Sequence, residues 1–229
     1  MLLLAIDTAG SACAVALLRE VAGDAHIIAQ TTEIIGRGHA ERLMPMIEAT
    51  LAESGAALGD LNRIAVTTGP GSFTGIRVGV AAARGLALAL DVPAVGIGSL
   101  EALIFPVTRA LDRGTVVGAL DAKRGEVFAH ARDIESGAAL IEAVSRSPRD
   151  LALRLTHARL PIVLVGNGSP MLTSELGESG TRIASTADFP DISDVARLGA
   201  TSESAGPPVP HYGRGADAKP QVNKVLAHR

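Results

Sequence analysis

Residues 67–90, TTGPGSFTGIRVGVAAARGLALAL, constrain the fold of this chain more than any other stretch. A strand end, a glycine-proline turn and a long helix follow one another there. Only Arg77 and Arg84 interrupt an otherwise apolar or small helix surface. At about 3.6 residues per turn, two arginines seven apart share one narrow stripe. A helix that is apolar nearly all round is covered on several sides. A chain of 229 residues with one Tyr, four Phe and no Trp builds a thin core layer. The helix is therefore expected to be half core and half docking surface.

Hydrophobic residues make up 47% of the chain and charged residues 20%, which is the balance of a folded protein. The length suits one medium domain or two small ones. Net charge is −3, and no basic field or set of stacking aromatics suggests unaided nucleic-acid binding. The exception is the end of the chain, where Arg214, Lys219, Lys224 and Arg229 face only Asp217; a solvated tail is the favoured reading over an RNA contact. A single Cys13 excludes an internal disulfide framework and fits a reducing cytosol. The apolar start of the chain meets Asp7 at once, without a preceding basic residue, so neither a signal peptide nor a membrane role is expected.

Short apolar runs at 2–6, 12–18 and 26–32 read as three strands joined by turns. Residues 36–54 read as a helix, kinked or loosened by Pro45, and 63–67 as the strand that feeds the Gly69-Pro70-Gly71 turn. A strand at 92–97 and a helix at 99–109, ended or bent near Pro106, complete a first set. The chain then repeats itself: AIDTAGSACAVA from Ala5 is echoed by ALDAKRGEVFAH from Ala119, and VTTGPGS from Val66 by VLVGNGS from Val163. Strands first and then alternating helices and strands imply mixed sheets with helices packed on them.

GPGSFTG is the strongest local motif. No Gly-Lys-Ser/Thr follows, so it is not a P-loop, and three residues separate Gly71 from Gly75 where the dinucleotide fingerprint needs two. A glycine turn at a helix start can cradle an anion, but a tight turn with Ser72 as N-cap explains the same residues and is preferred. Gly75, Gly79 and Ala83 lie along one face, open to close approach by another backbone or by the chain's own sheet. On a helical wheel Ala40, Leu43, Met44, Met46, Ile47 and Leu51 cover roughly 160° where a core stripe needs about 100°. The excess suggests a second contact partner. Asp7 and Asp121 end strands, either as turn residues or as holders of a cation-bound water in a kinase-like cleft. The six histidines show no pair at ligand spacing on one helix, no metal is called for, and His39 near Glu41 reads as a solvent-facing side chain rather than half of an acid–base pair.

IDTAGSACAVAL, GHAERLMPMI, GPGSFTGIRVGVAAARGLAL, GIGSLEAL, DAKRGEVFAH and PHYGRGADAKP together resemble the bacterial TsaB family, also called YeaZ. The resemblance covers most of residues 1–127 and 210–220. It implies an α/β actin-like ATPase (ASKHA) fold made of two RNase H-like units. It also implies a part in making threonylcarbamoyladenosine (t6A) in tRNA, as a non-catalytic subunit that organises the catalytic paralogue TsaD, with TsaE as an ATP-hydrolysing third member. The paralogue's metal-binding His pair falls on Ser99 and Leu103 here, so no cofactor is expected. Residues 138–185 and the His211-Tyr212-Gly213 segment depart from the family pattern.

On this reading residues 1–105 form the first, partner-binding unit and 106–206 a smaller second unit, whose helix near 191–200 is placed where it can pack back on the first; 207–229 form an irregular basic tail. The partner or dimer interface is assigned to Glu41, Leu43, Met44, Ile47, Phe73, Ile76, Arg77, Gly79, Val80 and Ala83. Asp7, Thr8, Gly69, Gly71, Ser72, Gly75 and Asp121 are candidates for a vestigial phosphate loop. The expected partners are a TsaD-type protein, a TsaE-type ATPase and, only through the complex, tRNA, with a cytoplasmic homodimer when alone. The rivals are a small-molecule kinase or ATPase of the same fold, an inactive metallopeptidase-like protein, and a homodimeric module without a larger assembly.

Overall fold

A computed structural model describes residues 1–213. The four basic residues singled out near the end of the chain lie outside the described residues. The fold begins with three strands, β1 (Leu2–Asp7), β2 (Ala12–Val21) and β3 (Asp24–Ile34), joined antiparallel in chain order. Helix α1 (His39–Ser54) follows, then β4 (Arg63–Gly69), α2 (Phe73–Leu90) and β5 (Ala94–Gly98), with β4 and β5 added parallel to β1. The sheet order is β3-β2-β1-β4-β5. β1 is buried at all six positions because helices cover both of its faces. Leu4 and Ile6 point to the α1 and α2 side, Leu3 and Ala5 to the other.

The second sheet repeats the plan. Strands β6 (Thr115–Lys123), β7 (Glu126–Asp133) and β8 (Ala139–Arg146) form an antiparallel meander, then α4 (Pro148–Arg154), β9 (Ile162–Val165), α5 (Ser169–Leu176) and β10 (Thr181–Ser185) follow. Its order, β10-β9-β6-β7-β8, is that of the first sheet. The sequence echoes occupy equivalent places: Asp7 and Asp121 fall at the ends of β1 and β6, and the Gly-x-Gly-Ser turns follow β4 and β9. Two RNase H-like units of mixed sheet in this order make the actin-like arrangement.

Helix α3 (Ser99–Ala110) joins the units and shares both cores: Ala102 packs with Val95 and Ile97, while Leu100, Leu103 and Ile104 pack with Val116, Leu120 and Phe128. Pro106 does not end it. The proline lies on the solvent side in the last turns, where losing one backbone hydrogen bond is tolerated, and the helix runs on to Ala110. Helix α1 starts at His39 rather than Gly36, because Gly36 and Gly38 take left-handed φ values of 66° and 87°. Helix α6 (Ile192–Thr201) lies against β1, β2 and β4 through Ile192, Val195 and Ala196. Gly199 permits this fit, since a Cβ there would come within 2.3 Å of the Ala65 Cβ. With few aromatics, close approach of small residues replaces bulk.

Candidate functional site

Helix α2 opens on Ser72, whose Oγ accepts from the Gly75 N–H at 3.2 Å, and closes on Asp91 in the left-handed conformation. Its small-residue face turns inward. A Cβ at Gly75 would meet the Thr8 carbonyl oxygen at 2.0 Å, and one at Gly79 would meet Thr8 Oγ1 at 2.5 Å. Ile76, Val80 and Ala83 are buried beside them, as are Leu43 and Ile47 on α1. Six of the residues expected at a partner interface, Leu43, Ile47, Ile76, Gly79, Val80 and Ala83, therefore sit in the chain's own core. The physical reason is phase: in a helix apolar all round, the smallest residues face the sheet because that lets the backbones approach most closely.

Of the expected interface residues, Glu41, Met44, Phe73 and Arg77 stay on the surface. Met44 is 41% exposed and Phe73 53%. The outer stripe of α2 runs Phe73, Arg77, Ala81, Arg84, Leu88, at helical spacings of three and four, and Leu88 is 86% exposed. Ala81 and Leu88 were missed by the sequence reading, although Ala81 falls between Arg77 and Arg84 on that stripe and Leu88 continues it by one turn. Among the described residues α2 is the one helix long and apolar enough to cross a membrane. Its glycine face is already closed on β1 and β4.

The glycine turn is knitted into the chain. The Ser72 N–H donates to the Ala9 carbonyl at 2.7 Å, and a Cβ at Gly71 would reach that same oxygen at 2.3 Å. Thr8 Oγ1 donates to the Gly75 carbonyl at 2.7 Å. Gly69 faces the His211 carbonyl, which would lie 2.4 Å from its Cβ. Asp7 is fully buried; its Oδ1 accepts from Thr67 Oγ1 and from the Ala9 N–H, and Oδ2 has no partner. Burial pushes its carboxyl above the ordinary range. Asp121 accepts from the Lys123 N–H and ammonium, each at 2.7 Å, and that bonding holds its carboxyl below the ordinary range. Asp7 thus lies buried beneath the turn, and Asp121 lies beside Lys123. His39 also departs from expectation: it is buried, with Nε2 at 3.1 Å from the Ala12 carbonyl, because α1 starts against β2.

Gly71, Ser72 and Asp121 do come together, in a cleft of about 830 Å³ between the units. Asp7, Thr8, Gly69 and Gly75 lie outside its lining. The sequence reading missed Lys123, Phe128, Asn167, Asp188 and Tyr212 on its walls. Asp188 accepts from Ser11 Oγ at 2.6 Å and from the Ser11 N–H at 3.1 Å. Asn167 Oδ1 accepts from the Asp121 N–H at 2.8 Å. At the mouth the Arg77 guanidinium stacks 3.8 Å above the Phe73 ring while its Nε donates to Tyr212 Oη at 2.9 Å. The Phe73 and Tyr212 ring centroids are 4.8 Å apart. Nothing in the local sequence joins Tyr212 to Phe73; only the returning segment 207–213 does.

Comparison with known proteins places this arrangement. The family described as "TsaD: tRNA N6-adenosine threonylcarbamoyltransferase" matches residues 25–154. The "tRNA threonylcarbamoyladenosine biosynthesis protein TsaB" of Escherichia coli is 41% identical over 128 residues, 56% of this chain and 53% of that protein. The chain thus spans about half the length of that relative and of its Haemophilus influenzae counterpart, 51% of which is covered. The Bacillus subtilis protein of the same name is 33% identical over 96% of both chains. Among solved structures, a Pseudomonas aeruginosa protein described as similar to peptidase YeaZ has a TM-score of 0.77 at 30% identity, covering 93% of this chain and 99% of that one. YeaZ from Pseudomonas aeruginosa has a TM-score of 0.68 at 27% identity, covering 92% of this chain and 99% of its own. With its two-sheet fold, its glycine turn and near full-length identity to a curated member, the chain belongs to the TsaB (YeaZ) family.

Proposed function

We propose that this protein is a non-catalytic subunit in the biosynthesis of threonylcarbamoyladenosine in tRNA, and that it works by docking a TsaD-type paralogue on the outer face of α1 and α2. The observation that carries the reading is the outer face of α2, where Phe73, Ala81 and Leu88 are exposed between Arg77 and Arg84, with Met44 and Pro45 exposed on neighbouring α1. Isolated exposed leucines are ordinary, but Phe73, Leu88 and Met44 exposed together on two adjacent helices support an interaction site. A stable interface buries about 800 Å² per partner, which two adjacent helices of this length can supply. Arg77 and Arg84, interleaved with the apolar residues, and Glu41 on α1 fix orientation more than strength.

The non-catalytic part of the proposal is supported by the residues themselves. Ser99 and Leu103, where the resemblance puts the paralogue's metal-binding pair, are a hydroxyl and an aliphatic group buried in α3. Asp7 is buried away from the cleft lining, and Asp121 is bonded to Lys123. The same face serves a homodimer when the protein is alone, so the two assemblies compete. A TsaE-type ATPase and tRNA join through the complex, in the cytoplasm.

Co-purification with the cognate TsaD-type protein tests this. Leu88→Glu and Met44→Asp alter only exposed positions and are expected to weaken the complex by about 10- to 100-fold each, with unchanged thermal unfolding. Full binding by both variants, or magnesium-dependent ATP turnover by the purified chain alone, overturns the reading. A bulky residue at Gly79 would test folding rather than docking, since its Cβ already meets Thr8.

A further inference from the structure

His211 and Tyr212 are neighbours in the chain, yet Tyr212 lines the cleft and His211 lines a separate recess of about 320 Å³. The recess opens between the end of β4, the start of α3 and strands β7 and β8. Five ionisable side chains line it: Glu101 on α3, His130 and Arg132 on β7, Glu142 on β8, and His211. Among the described residues none of the five forms an ion pair or a side-chain hydrogen bond with another. Elsewhere on this protein opposite charges that meet do pair, as Arg42 with Glu33 at 2.6 Å and Arg159 with Glu135 at 2.8 Å.

Two of the five have unmet needs. Arg132 is half-buried, and its Nε is closed off from solvent without an acceptor. A sequestered guanidinium N–H is costly unless an anion meets it. Burial, followed by the Arg132 charge, lowers the His130 pKa, which favours the uncharged ring. Its Nε2 is buried and unpartnered. In an uncharged ring one nitrogen accepts and the other donates, and Nε2 here has no partner for either role.

Glu101 and Glu142 add negative charge on the same walls, and both act on His130. Gly98, which caps α3 without a side-chain hydrogen bond, brings the positive end of that helix to the recess. A plain anion would satisfy Arg132 but face two carboxylates. A plain cation would face the guanidinium, and among the described residues no His, Cys, Asp and Glu group is arranged to hold a metal ion. An occupant carrying both signs close together satisfies all of them. The volume is at the small end for ligand sites and suits a compact molecule.

We propose that this recess binds a small zwitterion of the amino-acid class, its carboxylate on the Arg132 guanidinium and its ammonium between Glu101 and Glu142, with the His130 ring beside them. The site is separate from the α1 and α2 face, so its test stands or falls independently of partner docking.

The test is an NMR titration of the intact chain, reading the His130 ring resonances assigned by a His130→Gln variant. The common L-amino acids are added singly to about 10 mM, with propionate and propylamine as the two half-ligands. At least one amino acid is expected to shift the His130 signals saturably, with each half-ligand binding at least about tenfold more weakly. Arg132→Gln and Glu142→Gln are each expected to weaken that binding at least about tenfold. Glu142 is exposed, so its variant keeps the test decisive if Arg132→Gln does not fold. No shift with any amino acid, propionate binding as tightly as the best amino acid, or undiminished binding by Glu142→Gln overturns the proposal.

Discussion

At position 75 nothing larger than hydrogen fits, because a Cβ would lie 2.0 Å from the Thr8 carbonyl oxygen. Backbone cannot swing aside as a flexible side chain can. Gly75→Ala should therefore cost at least about 2 kcal/mol despite alanine's better helix propensity. Gly85, on the same helix with no atom near its would-be Cβ, supplies the control: Gly85→Ala should gain about 0.5–1 kcal/mol. Urea denaturation of the two variants checks both signs. Asp7 offers a pH test. Burial outweighs the hydrogen bonds from Thr67 and Ala9, so the folded carboxyl holds its proton to higher pH than the unfolded one. Stability from this group is complete below the ordinary carboxylate pKa and declines as pH rises towards the folded value. Asn at this position keeps the acceptor for Thr67 and Ala9 and never ionises. The Tm of Asp7→Asn should therefore rise relative to the parent as pH goes from about 4 towards 7; a constant difference would contradict the burial argument.

Elements here are decided by their ends as much as by their middles. The Ser72 hydroxyl is the side-chain cap of α2, so Ser72→Ala should cost about 1 kcal/mol in thermal or urea unfolding while leaving the Ser72 N–H bond to Ala9 in place. An unchanged stability would mean that this turn is held by its backbone contacts alone. The helix itself was legible in the sequence as a long, nearly uncharged element, because that pattern has few other structural meanings. Which side of it faces the sheet was not legible. Hydrophobicity is similar all round, and only the steric demand of β1 and β4 selects the Gly75, Gly79 and Ala83 face. The position of His39 was misread for a related reason: a polar side chain beside a glutamate looks exposed until α1 is seen to begin against β2.

The molecule as a whole is held together by its late elements. Helix α6 follows the second sheet in the chain but covers the first, closing over Leu3, Ala5, Ala14, Ala16 and Leu18. A chain ended at residue 190 would leave that apolar face open to water. Burial at about 25 cal/mol per Å² makes such a loss comparable to the whole stability of a domain. The truncated protein is expected to bind the dye ANS strongly and to lose cooperative unfolding; retention of a sharp transition would show that the first sheet is stable without α6. The returning segment adds a further tie, with the His211 N–H donating to the Thr68 carbonyl at 2.7 Å and Gly213 set between Phe128 and Pro70. Both units and the segment around Tyr212 therefore shape the cleft together.

Sequence alone determined the duplicated strand-and-helix plan, the glycine turn before α2 and the family, because periodicity, turn chemistry and contiguous motifs are local properties of a chain. It also showed that α2 carries more apolar surface than one sheet can cover. Tertiary structure alone decided which of those apolar residues are core and which are surface, that Asp7 is sealed while Asp121 is paired with Lys123, and that Tyr212 meets Phe73 and Arg77. Each of these depends on contacts between residues far apart in the chain or on the fit of atoms across a sheet. Packing distance and burial are set there, and no local pattern encodes them.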